Sequence, residues 1–323
     1  MESSISSIAI KYEGGIGDVL LFNRFVPAIL SKYPNAKLHA FLDSEGNTMQ
    51  EKVLRHLFGH LYSSITTIKK KKYEKFIISS QWGDENQIGF IENVPDDVMD
   101  TMGQYDLLID GHIDSLKWLD EDFDWLSSFR TFPPARNRGV PNDGKDYIIT
   151  HLISTTSTEH RMESWYIESL VKELHNLCKE KDLDLYVIST PEVNELYGSN
   201  IKDLPGVFII NEPVETVCDL ILNAKAMVST DSGFRVIAYS ADIPVVSFSK
   251  QCSQPGQIAP SHIVRWNPFP ETTFPIHWAS NEVTTLIKRC LDHRIYRLFP
   301  NLKDWEKELI KREYIVNEEK SIL

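Results

Sequence analysis

Between residues 5 and 33 an apolar run, a cluster of glycines and a second apolar run follow one another without a break, and that order leaves few folds open. Residues 5–11 alternate as a strand does, and residues 18–33 place Val19, Phe22, Val26, Ile29 and Leu30 at helical spacing. Gly14, Gly15 and Gly17 lie at the junction, with Asp18 in the first turn of the expected helix. Such a strand–turn–helix unit builds a site at the carboxyl edge of a parallel sheet. Glycine permits positive φ and the close approach of a ligand. The helix N-terminus leaves N–H groups free and favours an ionised carboxylate. Asp18 is therefore a candidate base; a plain helix cap after a tight turn is the simpler account of the same residue.

Alternation of strands and helices continues down the chain. Residues 37–42, 75–80 and 105–112 read as strands and residues 48–60 as a helix. Residues 132–144 are rich in Pro, Gly, Asn and Arg, which marks a linker. Beyond it, residues 147–152, 184–189, 207–210, 226–229 and 244–248 read as strands. Residues 162–180, 214–224, 281–293 and 302–314 read as helices, as does the run from Gly233 to Ala241. The expected fold class is α/β, with two Rossmann-like doubly wound domains facing a cleft. Their expected bounds are 1–143 and 144–295, with a C-terminal helix in 296–323 packing back on the first domain.

Composition removes several classes of function. At 323 residues the chain is long enough for two cores. No run of eighteen apolar residues is present, so no integral membrane span is expected. Residues 1–4 lack the basic and apolar regions of a signal peptide, and a cytoplasmic location is the expectation. Cys178, Cys218, Cys252 and Cys290 are far apart and form no paired motif, which suits reduced thiols. A net charge of −12 disfavours general attraction to polyanions. The dense basic run Lys69 to Lys72, with Lys75 after it, reads as a solvated turn or as a phosphate-contacting edge.

Three motifs occur in a fixed order: Gly14, Gly15, Ile16, Gly17 and Asp18; then Tyr105, Asp106, Leu107, Leu108, Ile109 and Asp110; then Thr230, Asp231, Ser232 and Gly233 between two strands. In that order they resemble the heptosyltransferase-type glycosyltransferases, the ADP-heptose:lipopolysaccharide group of family 9, which have the GT-B fold. The resemblance spans most of the chain. It implies an inverting glycosyltransferase in which Asp18 removes a proton from an acceptor hydroxyl that attacks a nucleotide sugar. It implies a donor site in the second domain, where backbone N–H groups at Ser232, Gly233 and Phe234 would cradle a diphosphate. Thr230, Asp231 and the loop hydroxyls Ser154 and Thr155 belong to that site. Arg161 stands near the family's lysine, Glu192 (or Glu195) near its nucleoside-binding carboxylate, and Lys250 is a substitute phosphate contact.

The sequence departs from the family in two places. Val236 stands where the family has a histidine, with Arg235 before it, and Ser247 to Lys250 replace a Gly-Pro or Gly-Ala loop. Both lie on the donor side and put ADP-heptose itself in question. No His/Cys cluster has metal spacing, so no metal or cofactor is expected beyond the nucleotide-sugar donor. The expected partners are that donor and a saccharide acceptor. Two alternatives stand: transfer to hydroxymethylated DNA bases of the phage type, using Lys69 to Lys75, Arg136 and Arg138, and a non-catalytic nucleotide-binding module of the same fold.

Overall fold

The computed structural model describes residues 5–12, 15–23, 26, 29–30, 33–43, 48–68, 77–78, 91–92, 105–110, 144–153, 162–189, 199–230, 232–241, 243–249, 273–275 and 280–293. The chain divides into two compact units, Met1–Pro133 and Pro134–Leu323. The division falls inside the Pro-rich stretch. The expected helix in 296–323 lies outside the described residues.

The first unit is built on β1 (Ser7–Tyr12), β2 (Lys37–Asp43), β3 (Ser64–Ile68) and β6 (Leu107–Asp110), in the order β3-β2-β1-β6. Every neighbouring pair is parallel. β1 is central, and Ile8, Ala9 and Ile10 are fully buried in succession. A strand covered on both faces reads as an unbroken apolar run for this reason. The helices α1 (Ile16–Asn23) and α2 (Met49–Phe58) pack against each other. Thr48 caps α2, its hydroxyl accepting from the Glu51 N–H at 3.4 Å.

Two features of this unit differ from expectation. The strand expected over 75–80 is described only as β4 (Ile77–Ile78), paired antiparallel with β5 (Ile91–Glu92) apart from the main sheet. The sheet's edge is instead β3, whose sequence Ser-Ile-Thr-Thr-Ile has only two apolar residues, although its β-branched Ile and Thr suit a strand. An edge strand needs only one covered face, and here Ile65 meets the core while Thr66 is exposed.

The second unit is a six-stranded sheet of β7 (Tyr147–His151), β8 (Asp184–Ile188), β9 (Val207–Ile210), β10 (Ala226–Thr230), β11 (Val245–Ser249) and β12 (Thr273–Pro275). The order is β12-β11-β10-β7-β8-β9, all parallel. Numbered within the unit this is 6-5-4-1-2-3, the doubly wound order in which strand direction of travel reverses between the first and fourth strands. On one face Ile148, Leu152, Val187, Val228 and Val246 meet α3 (Ser164–Lys181) and α7 (Ser280–His293) in a continuous core. Ion pairs Lys181–Asp292 and Lys288–Glu180 join these two helices at the surface. A short helix, α4 (Ser199–Lys202), precedes β9. On the other face the Tyr147 hydroxyl donates to the Leu220 carbonyl of α5 (Val214–Asn223) at 2.6 Å.

The C-terminal end of α3 is closed by Asp182 in the left-handed region, at φ 53°. Asparagine or aspartate can take this conformation in place of glycine. Lys145 reaches both Asp182 (3.0 Å) and Asp184 (3.4 Å), tying the turn to the start of β7. The final strand β12 falls within the aromatic, proline-rich run 266–278, where no strand was expected. Pro275, which has no N–H to donate, sits there on the sheet's edge.

Candidate functional site

In both units the candidate residues that are described, Gly15, Gly17 and Asp18 in the first and Thr230, Ser232 and Gly233 in the second, follow the carboxyl ends of central strands. In the first, β1 ends at Tyr12, and the Gly15 carbonyl accepts the Val19 N–H at 3.3 Å. Gly15 is thereby the N-cap of α1, which starts at Ile16, two residues before the expected start. The helix is described to Asn23, and helical backbone is described again at Val26, Ile29 and Leu30. Gly17 is buried inside the first helical turn rather than in the turn before it, and it does not have positive φ. Asp18 is described by its backbone alone, as the third residue of α1, and Gly14 lies outside the described residues.

A chain of buried polar groups holds this turn from beneath. The Tyr62 hydroxyl donates to Asn23 Oδ1 at 2.8 Å, which uses its one proton. Tyr12 must therefore be the donor in the contact between the Tyr12 and Tyr62 hydroxyls. Asn23 Nδ2 in turn donates to the Val19 carbonyl at 2.6 Å. The Tyr12 ring meets Phe22 edge-on, centroids 5.7 Å apart. Burial raises both tyrosines well above their ordinary pKa, so the chain stays protonated and neutral.

At the opposite edge of the same sheet lies Asp106, from the second motif. Its Oδ2 accepts from the backbone N–H groups and hydroxyls of Ser6 and Ser7, at 2.8 to 3.1 Å. Those hydrogen bonds hold its carboxyl down at about 2. Asp106 joins the amino ends of β1 and β6, so its part in the motif is to set the register of two strands. It is far along the strand from the glycine turn.

In the second unit β7 and β10 are neighbours across the reversal point of the sheet, where Ser229 stands in register with His151. The Thr230 hydroxyl donates to the His151 carbonyl at 3.4 Å. The Ser229 hydroxyl donates to the Thr230 carbonyl at 2.8 Å and accepts from Ser232 at 3.2 Å. The hydroxyl pair ties the turn back to the strand, and Gly233 then opens α6 (Gly233–Ser240). Thr230, Ser232 and Gly233 are thus brought together at the place where open α/β sheets take their ligands.

His151 was not anticipated as part of this site. Its imidazole lies edge-on to Phe234 with centroids 5.0 Å apart, and Nδ1 is enclosed without a hydrogen-bond partner. Burial pushes its pKa down to about 4, so the ring is neutral at pH 7. The available signal was a polar residue closing an otherwise apolar strand. Val236, at the position of the family's histidine, is fully buried and packs as core, and Arg235 is 1% exposed in the first turn of α6. Ser154, Thr155, Arg161, Glu192, Glu195, Asp231 and Lys250 lie outside the described residues, as do Lys69 to Lys75, Arg136 and Arg138. Among the described residues no group of three or more His, Cys, Asp or Glu is placed to hold a metal ion. None of the described helices is long and apolar enough to cross a membrane.

No protein-family model and no curated protein sequence matches the chain. Solved structures do. The Escherichia coli ADP-heptose lipopolysaccharide heptosyltransferase II superposes with a TM-score of 0.56 at 10% identity, covering 88% of this chain and 98% of that one. The E. coli heptosyltransferase WaaC with ADP gives 0.56 at 12% identity, over 88% and 99% of the two chains. A family 9 glycosyltransferase from Veillonella parvula gives 0.53 at 13% identity, over 92% and 93%. Identities this low speak to architecture alone, and the coverage shows that the likeness extends over most of each chain. The chain accordingly has the heptosyltransferase-type GT-B fold that its ordered motifs resemble.

Proposed function

We propose that the protein is an inverting glycosyltransferase that moves a sugar from a nucleotide sugar to an acceptor hydroxyl. The observation that carries this reading is the meeting of Thr230, Ser232 and Gly233 with the end of β7 at the reversal point of a doubly wound sheet. The fold neighbours add the ligand class: one WaaC structure holds ADP and another ADP-2-deoxy-2-fluoro heptose. A nucleoside diphosphate would place its phosphates against the N–H groups at the start of α6, with Ser154, Thr155, Arg161 and Lys250 as further contacts. Glu192 would hold the nucleoside.

In the reaction, the Asp18 carboxylate would take the proton of the acceptor hydroxyl as its oxygen attacks the anomeric carbon. The bond from that carbon to the diphosphate breaks, configuration inverts, and the nucleoside diphosphate leaves with the electron pair. Preorganised N–H groups would meet the charge that develops on it. Gly14, Gly15 and Gly17, having no side chains, would bring the least bulk to the acceptor side of Asp18. A lipopolysaccharide-type saccharide is the acceptor proposed, in a cytoplasmic reaction without a metal.

Calorimetry and thermal shift with ADP, UDP and GDP test the donor site, and at least one is expected to bind and raise the melting temperature. Failure of all nucleoside diphosphates to do so would overturn it. Asp18→Asn should abolish transfer with nucleotide binding intact; lost binding would remove Asp18 from the role of base. EDTA should leave the transfer rate unchanged, and a rate abolished by EDTA and restored by a divalent cation would refute transfer without a metal.

A further inference from the structure

We infer that the directed chain Tyr12–Tyr62–Asn23 positions the first turn of α1, and that Tyr62 is a positioning residue for the transfer reaction. The inference rests on the functional reading above for its second half only. Its first half is geometric. Tyr12 is the last residue of β1, Asn23 the last of α1, and Tyr62 lies just before β3. All three are nearly or wholly buried, Tyr12 and Asn23 at 1% and Tyr62 at 9% exposure.

Phenylalanine at 12 and 62 would fill the same space without asking for partners. The hydroxyls bring an obligation instead, because a buried polar group left unpaired is costly. The three side chains form one hydrogen-bonded cluster, with Tyr12 also in contact with Asn23. Tyr12 donates to Tyr62, Tyr62 to Asn23 Oδ1, and Asn23 Nδ2 to the Val19 carbonyl. Val19 N–H then donates to the Gly15 carbonyl. The path leaves the end of β1, passes through Tyr62 and returns to the N-cap of α1. It encloses the backbone of residues 15–19, Asp18 among them, between its two ends.

Direction makes the three residues unequal. Removing the Tyr12 hydroxyl takes away the first donor and leaves the links from Tyr62 to Asn23 and from Asn23 to Val19 in place. Removing the Tyr62 hydroxyl breaks its links to Tyr12 and to Asn23 Oδ1 together, leaving Asn23 as the remaining partner of the Tyr12 hydroxyl. Neither tyrosine ionises near neutrality, since burial raises both. The chain therefore holds geometry and passes no proton to the site.

The experiment compares full-length wild type, Tyr12→Phe and Tyr62→Phe. Hydrogen exchange of the peptide spanning residues 15–23 should rise in Tyr62→Phe, stay near wild type in Tyr12→Phe, and be unchanged in both for peptides of the second unit. Equal protection in all three proteins would overturn the inference, as would equal loss in the two variants. With a transferred nucleotide sugar, Tyr62→Phe should lower kcat about ten- to a hundredfold. Its KM for the donor and its affinity for the nucleoside diphosphate should not change. The loss should be uniform in pH; a displaced limb of the pH profile would make Tyr62 a proton carrier and overturn the positioning role. Unchanged kcat with a loosened helix would overturn that role while leaving the clamp intact. If wild type neither binds nucleoside diphosphates nor transfers sugar, the functional reading fails and exchange alone decides the clamp. Should Tyr62→Phe fail to accumulate, Asn23→Leu removes the Tyr62–Asn23 and Asn23–Val19 links at similar volume, and exchange of residues 15–23 should rise in it as well.

Discussion

Acid should weaken the second unit through His151 in a defined window. The side chain's pKa drops from an ordinary 6.5 to about 4 in the folded protein, because burial disfavours the charged ring. Between those values the unfolded chain binds a proton that the folded chain refuses, so stability rises with pH across the window. The contribution is complete above about pH 6.5 and is lost as pH falls toward 4. A full shift of this size corresponds to at most about 3 kcal/mol, and by pH 5 about 2 kcal/mol of it should be gone. Urea unfolding followed by circular dichroism at pH 7.5, 6 and 5 measures it, with His151→Gln beside the wild type. The variant should be the less pH-sensitive of the two by about 2 kcal/mol at pH 5, whatever its stability at pH 7.5. His39 in the first unit is also pushed down, by burial and by Lys37, but it is common to both proteins and cancels in the difference. Parallel curves for the two proteins would refute the assignment of a buried neutral imidazole.

Other outcomes follow from single side chains. Thr150 is fully buried with its hydroxyl unpartnered, in register with Val187 and Val228, so Thr150→Val should stabilise the second unit by about 1 kcal/mol in the same urea assay. Asp106→Asn should lower the melting temperature at neutral pH. Because the native carboxyl titrates at about 2, that difference should fade as pH falls from 4 toward 2, and a difference that persists below pH 2 would contradict its cause. Burial pushes the Cys178 thiol up to about 12 and raises Cys218 as well, so neither should react with a thiol reagent until the protein unfolds. Peptide mapping after labelling of the native protein checks this.

The elements that could be read from sequence are those buried on two faces. β1, β7, β8 and β10 are buried along nearly their whole length and each holds a run of three or more successive apolar residues, and α3, α5 and α7 repeat apolar residues at helical spacing, so pattern and environment agree. The edges could not be read this way. β3 and β12 are short edge strands of five and three residues, joined to the sheet along one side only, and their sequences carry little apolar alternation. At the site, Thr230, Ser232 and Gly233 were legible because a strand, a polar turn and a helix leave a signature. His151 was not, because its partners Thr230 and Phe234 are about eighty residues away in the chain and only strand order brings them near. The Tyr12–Tyr62–Asn23 chain is hidden for the same reason. Two tyrosines and an asparagine in three separate elements carry no spacing that would connect them.

The order of strands in the second unit has a consequence during synthesis. β7, β8 and β9 are contiguous in sequence and can associate as soon as they emerge, but the other flank of β7 belongs to β10. Closing that contact requires the ends of a long intervening segment to meet, an entropic cost that delays it relative to local pairing. Until Ala226–Thr230 leaves the ribosome, the strand destined for the middle of the sheet is a bare margin with unpaired N–H and C=O groups, open to any neighbouring polypeptide. The nascent chain is thus most exposed to misassembly just before β10 and the residues that follow it, Ser232 and Gly233, arrive.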